Sequence, residues 1–197
     1  MIKKMVISEW YDLTLDQNVI QESINNPDLP LIIPDKLLQK ANVKNANGRI
    51  YPKDVLIREV EKYKKLVDMR GSMGELDHPD SPIIELKNVS HIISDIYLNG
   101  DEVRGSLEVL NTPPGKTLRS LLLQGVKIGV SSRGVGSLQK EGDVNVVQND
   151  FELIAFDAVS SPSTPGAYLV ENIQYNIDRF NNLRNILHGI LKDSYFD

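Results

Sequence analysis

Three histidines are the side chains of this sequence that ordinarily titrate near neutral pH. His78 lies in the loop block Gly74–Pro79, between a predicted helix and a predicted β region, and loops bounded by glycine and proline often carry catalytic groups. An exposed loop histidine without a role is the alternative. His91 lies on a predicted strand, where a hydrogen-bonded sheet residue is expected, and His188 lies near a predicted helix end. His78 is therefore the candidate general base.

Two adjacent serines stand between glycines in the segment Gly129–Ser137. Glycine in a strand lets another chain approach closely, and an acyl-transfer site needs such room together with N–H donors for an oxyanion. The segment is not a Gly-x-Ser-x-Gly nucleophile elbow, because Arg133 occupies the place of the last glycine. It also lacks the Gly-Lys-Ser/Thr ending of a phosphate loop. Ser131 and Ser132 are candidate nucleophiles, and a glycine-rich strand or bulge is the alternative.

Asp157 lies in the otherwise apolar run Phe151–Val159. A carboxylate there is expected to be buried, and a buried carboxylate needs a partner. Two partners stay open at this point: a structural cation, or a histidine whose tautomer the carboxylate fixes.

Composition excludes several other classes of site. The chain of 197 residues contains no cysteine, so disulfides, thiolate zinc sites and a cysteine nucleophile are impossible. Without a His-Glu-x-x-His pattern we expect no metal, and no cofactor is predicted. The net charge of −5 without a basic cluster argues against direct nucleic-acid binding. No apolar stretch has the length of a membrane span, so no membrane partner is expected.

The elements that must position these residues indicate an α+β protein. Apolar spacing predicts a helix over 52–68, and Asn99-Gly100 predicts a hairpin between strands at 89–98 and 102–110. Further strands are predicted at 126–138, 143–148 and 150–160. Several short strands need covered edges, which favours a mostly antiparallel, β-barrel-like core flanked by helices.

The predicted domain covers residues 1–171. Within it, prolines and asparagines predict a mobile connection at 12–45 that holds no more than one or two helical turns. An amphipathic pattern predicts a C-terminal helical appendage at 172–197.

Four blocks stand in order along the chain: Asn47-Gly48-Arg49-Ile50-Tyr51-Pro52, Gly74-Glu75-Leu76-Asp77-His78-Pro79, Gly129-Val130-Ser131-Ser132-Arg133-Gly134, and Asp157-Ala158-Val159 with Ser161-Pro162-Ser163. Together they resemble the myovirus-type prohead core-protein protease family.

The resemblance implies a procapsid-protease fold like that of the herpesvirus assemblins. It implies Ser131 as nucleophile and His78 as base, and Asp157 takes the place of a third member. It also implies an oxyanion or substrate-binding region around Ser132, Arg133 and Gly134.

The same resemblance implies the biological role. It implies an endopeptidase acting in the host cytoplasm, inside the assembling prohead, on phage scaffold or core proteins and the major capsid protein. Cleavage would follow glutamate in aliphatic-x-Glu sequences and would include the protease itself, first after Glu22 and then after Glu171. Arg49, Arg104 and Arg133 are candidates to bind the substrate glutamate, and homo-oligomerisation is left open.

Two other functions stay open on the sequence. A non-catalytic phage assembly protein could use a related β-barrel fold, although it would need neither Ser131 nor His78. A serine esterase is disfavoured by the missing nucleophile elbow.

Overall fold

The computed structural model describes residues 5–13, 15, 17–26, 29–45, 47–79 and 81–160. The predicted appendage at 172–197 and the expected cleavage site after Glu171 lie outside these residues. The described part forms ten strands and three α-helices. They are β1 (Met5–Asp12), α1 (Gln17–Asn25), β2 (Leu31–Lys40), β3 (Arg49–Ile50), α2 (Lys53–Asp68), β4 (Met73–Glu75), β5 (Val89–Asn99), β6 (Glu102–Val109), α3 (Pro113–Leu123), β7 (Gly129–Gly136), β8 (Leu138–Glu141), β9 (Val144–Val147) and β10 (Glu152–Val159).

Local patterns place the central helix and hairpin where the sequence predicts them. Helix α2 follows Pro52, and its apolar face, including Val60 and Tyr63, is buried. The β5–β6 hairpin turns at Gly100, whose φ of 62° suits glycine. Both predictions are confirmed.

The segment predicted as a connection, 12–45, instead contains helix α1 and the ten-residue strand β2. Proline normally disfavours a strand, because it cannot donate to the ladder. Pro34 is tolerated because the β2–β6 register shifts between Ile33 and Lys36, and Asp35 adopts a φ of 46° in the same irregularity. The prediction that this segment holds only a turn or two of helix is wrong.

The described strands form three sheets, with orders β1-β7-β10, β2-β6-β5-β4 and β3-β9-β8. The described strands do not close into the barrel-like core that the sequence predicts, so this part of the prediction is wrong. A barrel needs a ladder between every pair of neighbouring strands, whereas β10 meets the chain just after β4 through one isolated bridge, Leu76 to Ala158. The ladders are antiparallel except for the two-residue β3–β9 pair, so the mostly antiparallel α+β class holds.

Strand β10 is fixed from one face by aromatic packing. Phe156 is fully buried, and its ring meets Tyr63 of α2 edge to face with centroids 5.5 Å apart. Phe151, just before β10, makes the same kind of contact with Tyr51 at 5.5 Å. The opposite face of β10 is thereby held in a defined position for polar side chains.

Candidate active site

Pairing between β7 and β10 places Ser131 opposite Asp157. Side chains of directly opposed residues project to the same face of a sheet, with Cβ atoms about 4.5–5.5 Å apart. Both residues are buried, at 4% and 0% exposure. The serine and the carboxylate that the sequence singled out therefore lie on one face of adjacent strands.

The loop after β4 brings His78 to the same place. Leu76 bridges to Ala158, and the backbone N–H of Asp77 donates to the Ala158 carbonyl at 2.8 Å. Asp77 has a φ of 67°, a left-handed conformation that turns the chain sharply at this point. The next residue, His78, then lies with Nδ1 2.9 Å from Oδ2 of Asp157.

This contact determines which nitrogen of His78 is available. An ionised Asp157 only accepts hydrogen bonds, so Nδ1 carries the proton and Nε2 holds the lone pair. Nε2 is buried and has no hydrogen-bond partner among the described residues. The side chain as a whole remains 20% exposed. The histidine is thus oriented as a proton acceptor at Nε2.

Ser132 points the other way. It lies opposite Phe156, whose ring faces the α2 core, and it is fully buried. Its Oγ has no hydrogen-bond partner within the described part of the chain. Alternation along β7 therefore separates the two serines: Ser131 shares a face with Asp157, and Ser132 faces the apolar interior.

Arg133, two residues after Ser131, lies on the Asp157 face and is fully buried. Its Nε is 2.7 Å from Oδ2 of Asp157, and its Nη2 donates to Oδ1 of the same carboxylate at 3.1 Å. Nη1 donates to the Ser81 carbonyl at 2.6 Å, and Nη2 also donates to Glu75. Nη1 and Nη2 thus hydrogen-bond to internal partners, whereas Nε makes an ion-pair contact with Asp157 without hydrogen-bond geometry.

Gly134 and Arg49, the other residues predicted around the site, lie in different parts of the fold. Gly134 lies where a Cβ would overlap the Phe151 ring and the Glu152 carbonyl, so close packing requires glycine there. A register shift in β10 between Leu153 and Ala155 interrupts the ladder opposite Arg133 and Gly134. Arg49 lies in β3, in the third sheet, outside the two sheets that carry the site.

Glu75 is a member of the site for which the sequence alone predicts no role. It is fully buried at the end of β4, its carboxylate accepts from Arg133, and its backbone N–H donates to Oδ1 of Asp157 at 3.0 Å. The Glu85 N–H donates to the second Glu75 carboxylate oxygen at 3.0 Å. The only available signal was its place in the Gly74–Pro79 block.

His91 and Tyr63 lie behind the site in uncharged form. His91 donates from Nε2 to the Phe156 carbonyl at 3.0 Å, so Nδ1 of the uncharged ring accepts from the Ser90 hydroxyl at 2.9 Å, which confirms the predicted hydrogen-bonded sheet histidine. Burial lowers the pKa of His91 to about 4, although the nearby Asp157 charge opposes the shift. Burial raises the pKa of Tyr63, and the Asp157 charge raises it further.

No group of three or more histidine, aspartate and glutamate side chains among the described residues could hold a metal ion. None of the helices in the described ranges is long and apolar enough to cross a membrane. What the site does contain is a hydrogen-bonded Asp157–His78 pair beside a serine, the set of groups used in acyl transfer.

Comparison with known proteins gives consistent matches. The family model described as prohead core protein serine protease matches residues 22–176. The chain is 33% identical over 156 residues to the prohead core protein protease of Enterobacteria phage T4, covering 75% of this chain and 74% of that protein. It also matches the solved structure of the bacteriophage T4 capsid assembly protease, gp21, at 27% identity with a TM-score of 0.70, covering 81% of this chain and 99% of that one. This chain therefore belongs to the family of prohead core protein serine proteases.

Proposed function

We propose that this protein is a serine endopeptidase in which Ser131 is the nucleophile, His78 the general base and Asp157 the group that orients the base. The observation that carries the proposal is the 2.9 Å contact between His78 Nδ1 and Asp157 Oδ2, with Ser131 in register opposite Asp157. The remaining imidazole nitrogen has no internal partner among the described residues, so it is available to accept a serine proton.

The proposed reaction is acyl transfer. Nε2 of His78 removes the Ser131 hydroxyl proton as Oγ attacks the scissile carbonyl carbon. The tetrahedral intermediate collapses when His78 returns the proton to the leaving amine, and water then releases the acyl group by the same steps. Backbone N–H groups near Arg133 and Gly134, where the ladder is interrupted, are the proposed oxyanion donors.

The proposed substrates follow from the relatives. The two T4 relatives are called a prohead core protein protease and a capsid assembly protease. We assign this chain the cleavage of phage scaffold or core proteins and the major capsid protein, inside the assembling prohead in the host cytoplasm. Cleavage is assigned after glutamate in aliphatic-x-Glu sequences, as the family resemblance implies.

Binding of the substrate glutamate needs a cation or several donors. Arg133 is committed to Glu75, Asp157 and Ser81. Arg104 is paired with Asp35 at 2.8 Å and with Glu102 at 3.0 Å. Arg49 also has an interaction of its own within the chain, so internal pairing does not rank the three arginines that the sequence offered.

The test is to incubate the purified protein with the scaffold protein encoded by the same phage and to map the new termini by mass spectrometry. We expect new carboxyl termini at glutamate in aliphatic-x-Glu sequences, and we expect Ser131→Ala to produce none. Termini after unrelated residues would contradict the glutamate specificity. Undiminished cleavage by Ser131→Ala would contradict the serine mechanism.

Self-cleavage is part of the same proposal. Ile20-Gln21-Glu22 is the first expected internal site, and Leu169-Val170-Glu171 is the second. Glu22 is exposed but lies within helix α1, so cleavage there requires α1 to open.

A further inference from the structure

Asp157 has two ionic partners, His78 and Arg133, and both need its single negative charge. A carboxylate that orients a catalytic base must also stabilise the imidazolium formed during the reaction. However, Arg133 Nε lies 2.7 Å from the same Oδ2 atom that His78 Nδ1 approaches. Alone, this guanidinium would neutralise the charge that the imidazolium needs.

Glu75 binds the other side of that guanidinium. Nη2 of Arg133 donates to Glu75 Oε2 and to Asp157 Oδ1. The side chains of Glu75, Arg133 and Asp157 are all 0% exposed, so solvent does not screen their charges. Two carboxylates and one guanidinium together carry a net charge of minus one.

The neighbouring titratable groups leave this balance unchanged at neutral pH. Behind the site, His91 has a pKa of about 4 and is neutral, and Tyr63 is neutral because burial raises the pKa of its hydroxyl. On the loop side, Lys87 is paired with Glu85 in solvent at 2.8 Å. Asp77 is exposed. These three solvated charges act weakly on the buried group because water screens them.

We propose that Glu75 is a positioning residue that keeps the buried Glu75–Arg133–Asp157 group at a net charge of minus one, so that the group becomes neutral with His78 when His78 accepts the Ser131 proton. This inference rests on the proposed function of His78 and Ser131. Glu75 also supports the geometry, because its backbone N–H holds Asp157 and its carboxylate holds Arg133.

Two single substitutions, Glu75→Gln and Arg133→Met, should shift the pH dependence of kcat/KM in opposite directions. Glu75→Gln removes a negative charge, so protonated His78 becomes less stable and the acidic limb shifts by about one unit to lower pH. Loss of the same stabilisation in the transition state lowers kcat about tenfold. KM should stay unchanged, because Glu75 is fully buried and does not reach substrate. Arg133→Met leaves two buried carboxylates, so the limb shifts to higher pH.

The double variant Glu75→Gln, Arg133→Met separates the effect of net charge on His78 from the effect of lost packing. Removing both partners of a buried pair is often tolerated, whereas removing one leaves an uncompensated charge. The double variant again carries one net negative charge, and we expect its acidic limb to return to the wild-type position. A purely structural role predicts that the double variant is worse than either single variant.

A matched control is Glu59→Gln. Glu59 is also a buried glutamate, contacted at 2.8 Å by both Arg58 and Lys62, and it accepts from the Leu153 N–H at 3.0 Å. It lies on α2 and has no role in the proposed chemistry. Its substitution should reduce stability and leave the pH limb in place.

Each variant is measured on a peptide with an aliphatic-x-Glu sequence, and active sites are counted by titration with a fluorophosphonate. Opposite shifts in the single variants and recovery in the double variant support the inference. Three results would overturn it. They are a Glu75→Gln variant with wild-type kcat and an unshifted acidic limb of its pH profile, shifts of the same sign in both single variants, and a double variant that does not fold. Retained activity in Ser131→Ala and His78→Ala would instead overturn the proposed function on which it rests.

Discussion

Asp157 is the residue on which the polar contacts of the site converge. It accepts from His78, Arg133 and the Glu75 backbone, and it is fully buried. The sequence left two alternatives open for this carboxylate, a structural ion pair or a contact that orients a histidine. The structure contains both contacts, so they are not exclusive.

Substitution Asp157→Asn should therefore affect catalysis and stability together. Loss of the carboxylate from a serine protease triad lowers kcat by about ten-thousandfold. Breaking one side of a buried ion pair costs about 3–5 kcal/mol of unfolding free energy, because Arg133 loses a partner. Single-turnover acylation per titrated site and the melting temperature, measured on one sample, test both effects. An early-melting variant with full turnover would leave Asp157 a structural role only.

His91 should make stability depend on pH. Its pKa is lowered from 6.5 to about 4 in the folded protein, so between these values the unfolded chain binds more protons. The stabilisation from neutral His91 is complete above about pH 6.5 and is lost as pH falls through about 4, amounting to about 3 kcal/mol at most. His91→Gln cannot take up this proton, and its amide can still donate to the Phe156 carbonyl. Denaturant unfolding between pH 7 and 4 should show a shallower pH slope for the variant, and an unchanged slope would contradict this account.

At the residue scale the sequence predicted the site residues whose type is rare enough to leave few candidates for a catalytic role. The three histidines led to His78, and the segment Gly129–Ser137 offered Ser131 and Ser132, of which the family resemblance selects Ser131. The structure places Ser131 opposite Asp157 and His78 in contact with Asp157. Glu75 was missed because nothing local distinguishes a buried glutamate in a three-residue strand. Arg133 was predicted beside the substrate, but the strand pairing that commits it to Asp157 is not visible in the sequence.

Helix α1 is the element that controls access to the proposed internal cleavage site. It is tied to α3 by Arg119, which donates to the Ser23 carbonyl at 3.0 Å and to the Leu29 carbonyl at 3.1 Å. A protease binds an extended chain, so the segment around Glu22 must leave these contacts before it can be cut.

Arg119→Ala should therefore accelerate cleavage after Glu22. If its hydrogen bonds contribute about 1.4 kcal/mol to keeping the segment closed, cleavage becomes about tenfold faster. The substrate is an inactive Ser131→Ala chain with or without Arg119→Ala, and wild-type enzyme is added, so the substitution alters only the substrate. Arg70→Ala is the control, because Arg70 pairs with Glu108 instead. Equal rates with and without Arg119 would mean that this contact does not limit opening.

At the element scale the sequence predicted the helices and turns that depend on short-range residue patterns. The β5–β6 turn and helix α2 follow from Asn99-Gly100 and from apolar spacing. Strand β2 was missed because Pro34 argues against a strand unless a bulge accommodates it, and the bulge depends on pairing with β6. Strand β4 was missed because three residues carry no periodicity.

At the scale of the whole molecule, the antiparallel α+β class and the family resemblance are confirmed, whereas barrel closure was wrong. Closure depends on which strands meet across the molecule, and alternating apolar residues do not specify that. The site lies where the first sheet, through β10, meets the chain leaving the second sheet after β4. A relationship to the herpesvirus assemblins stays a prediction.

The most direct test of the central claim is to locate the serine that reacts with a fluorophosphonate. The protein is labelled at neutral pH, digested and analysed by mass spectrometry. We expect the adduct on Ser131 in the wild type and in Ser132→Ala, and no adduct in Ser131→Ala. We also expect labelling of His78→Ala to be slower by several orders of magnitude, because the base no longer activates Oγ. An adduct on Ser132, or labelling of Ser131 that does not depend on His78, would contradict the account.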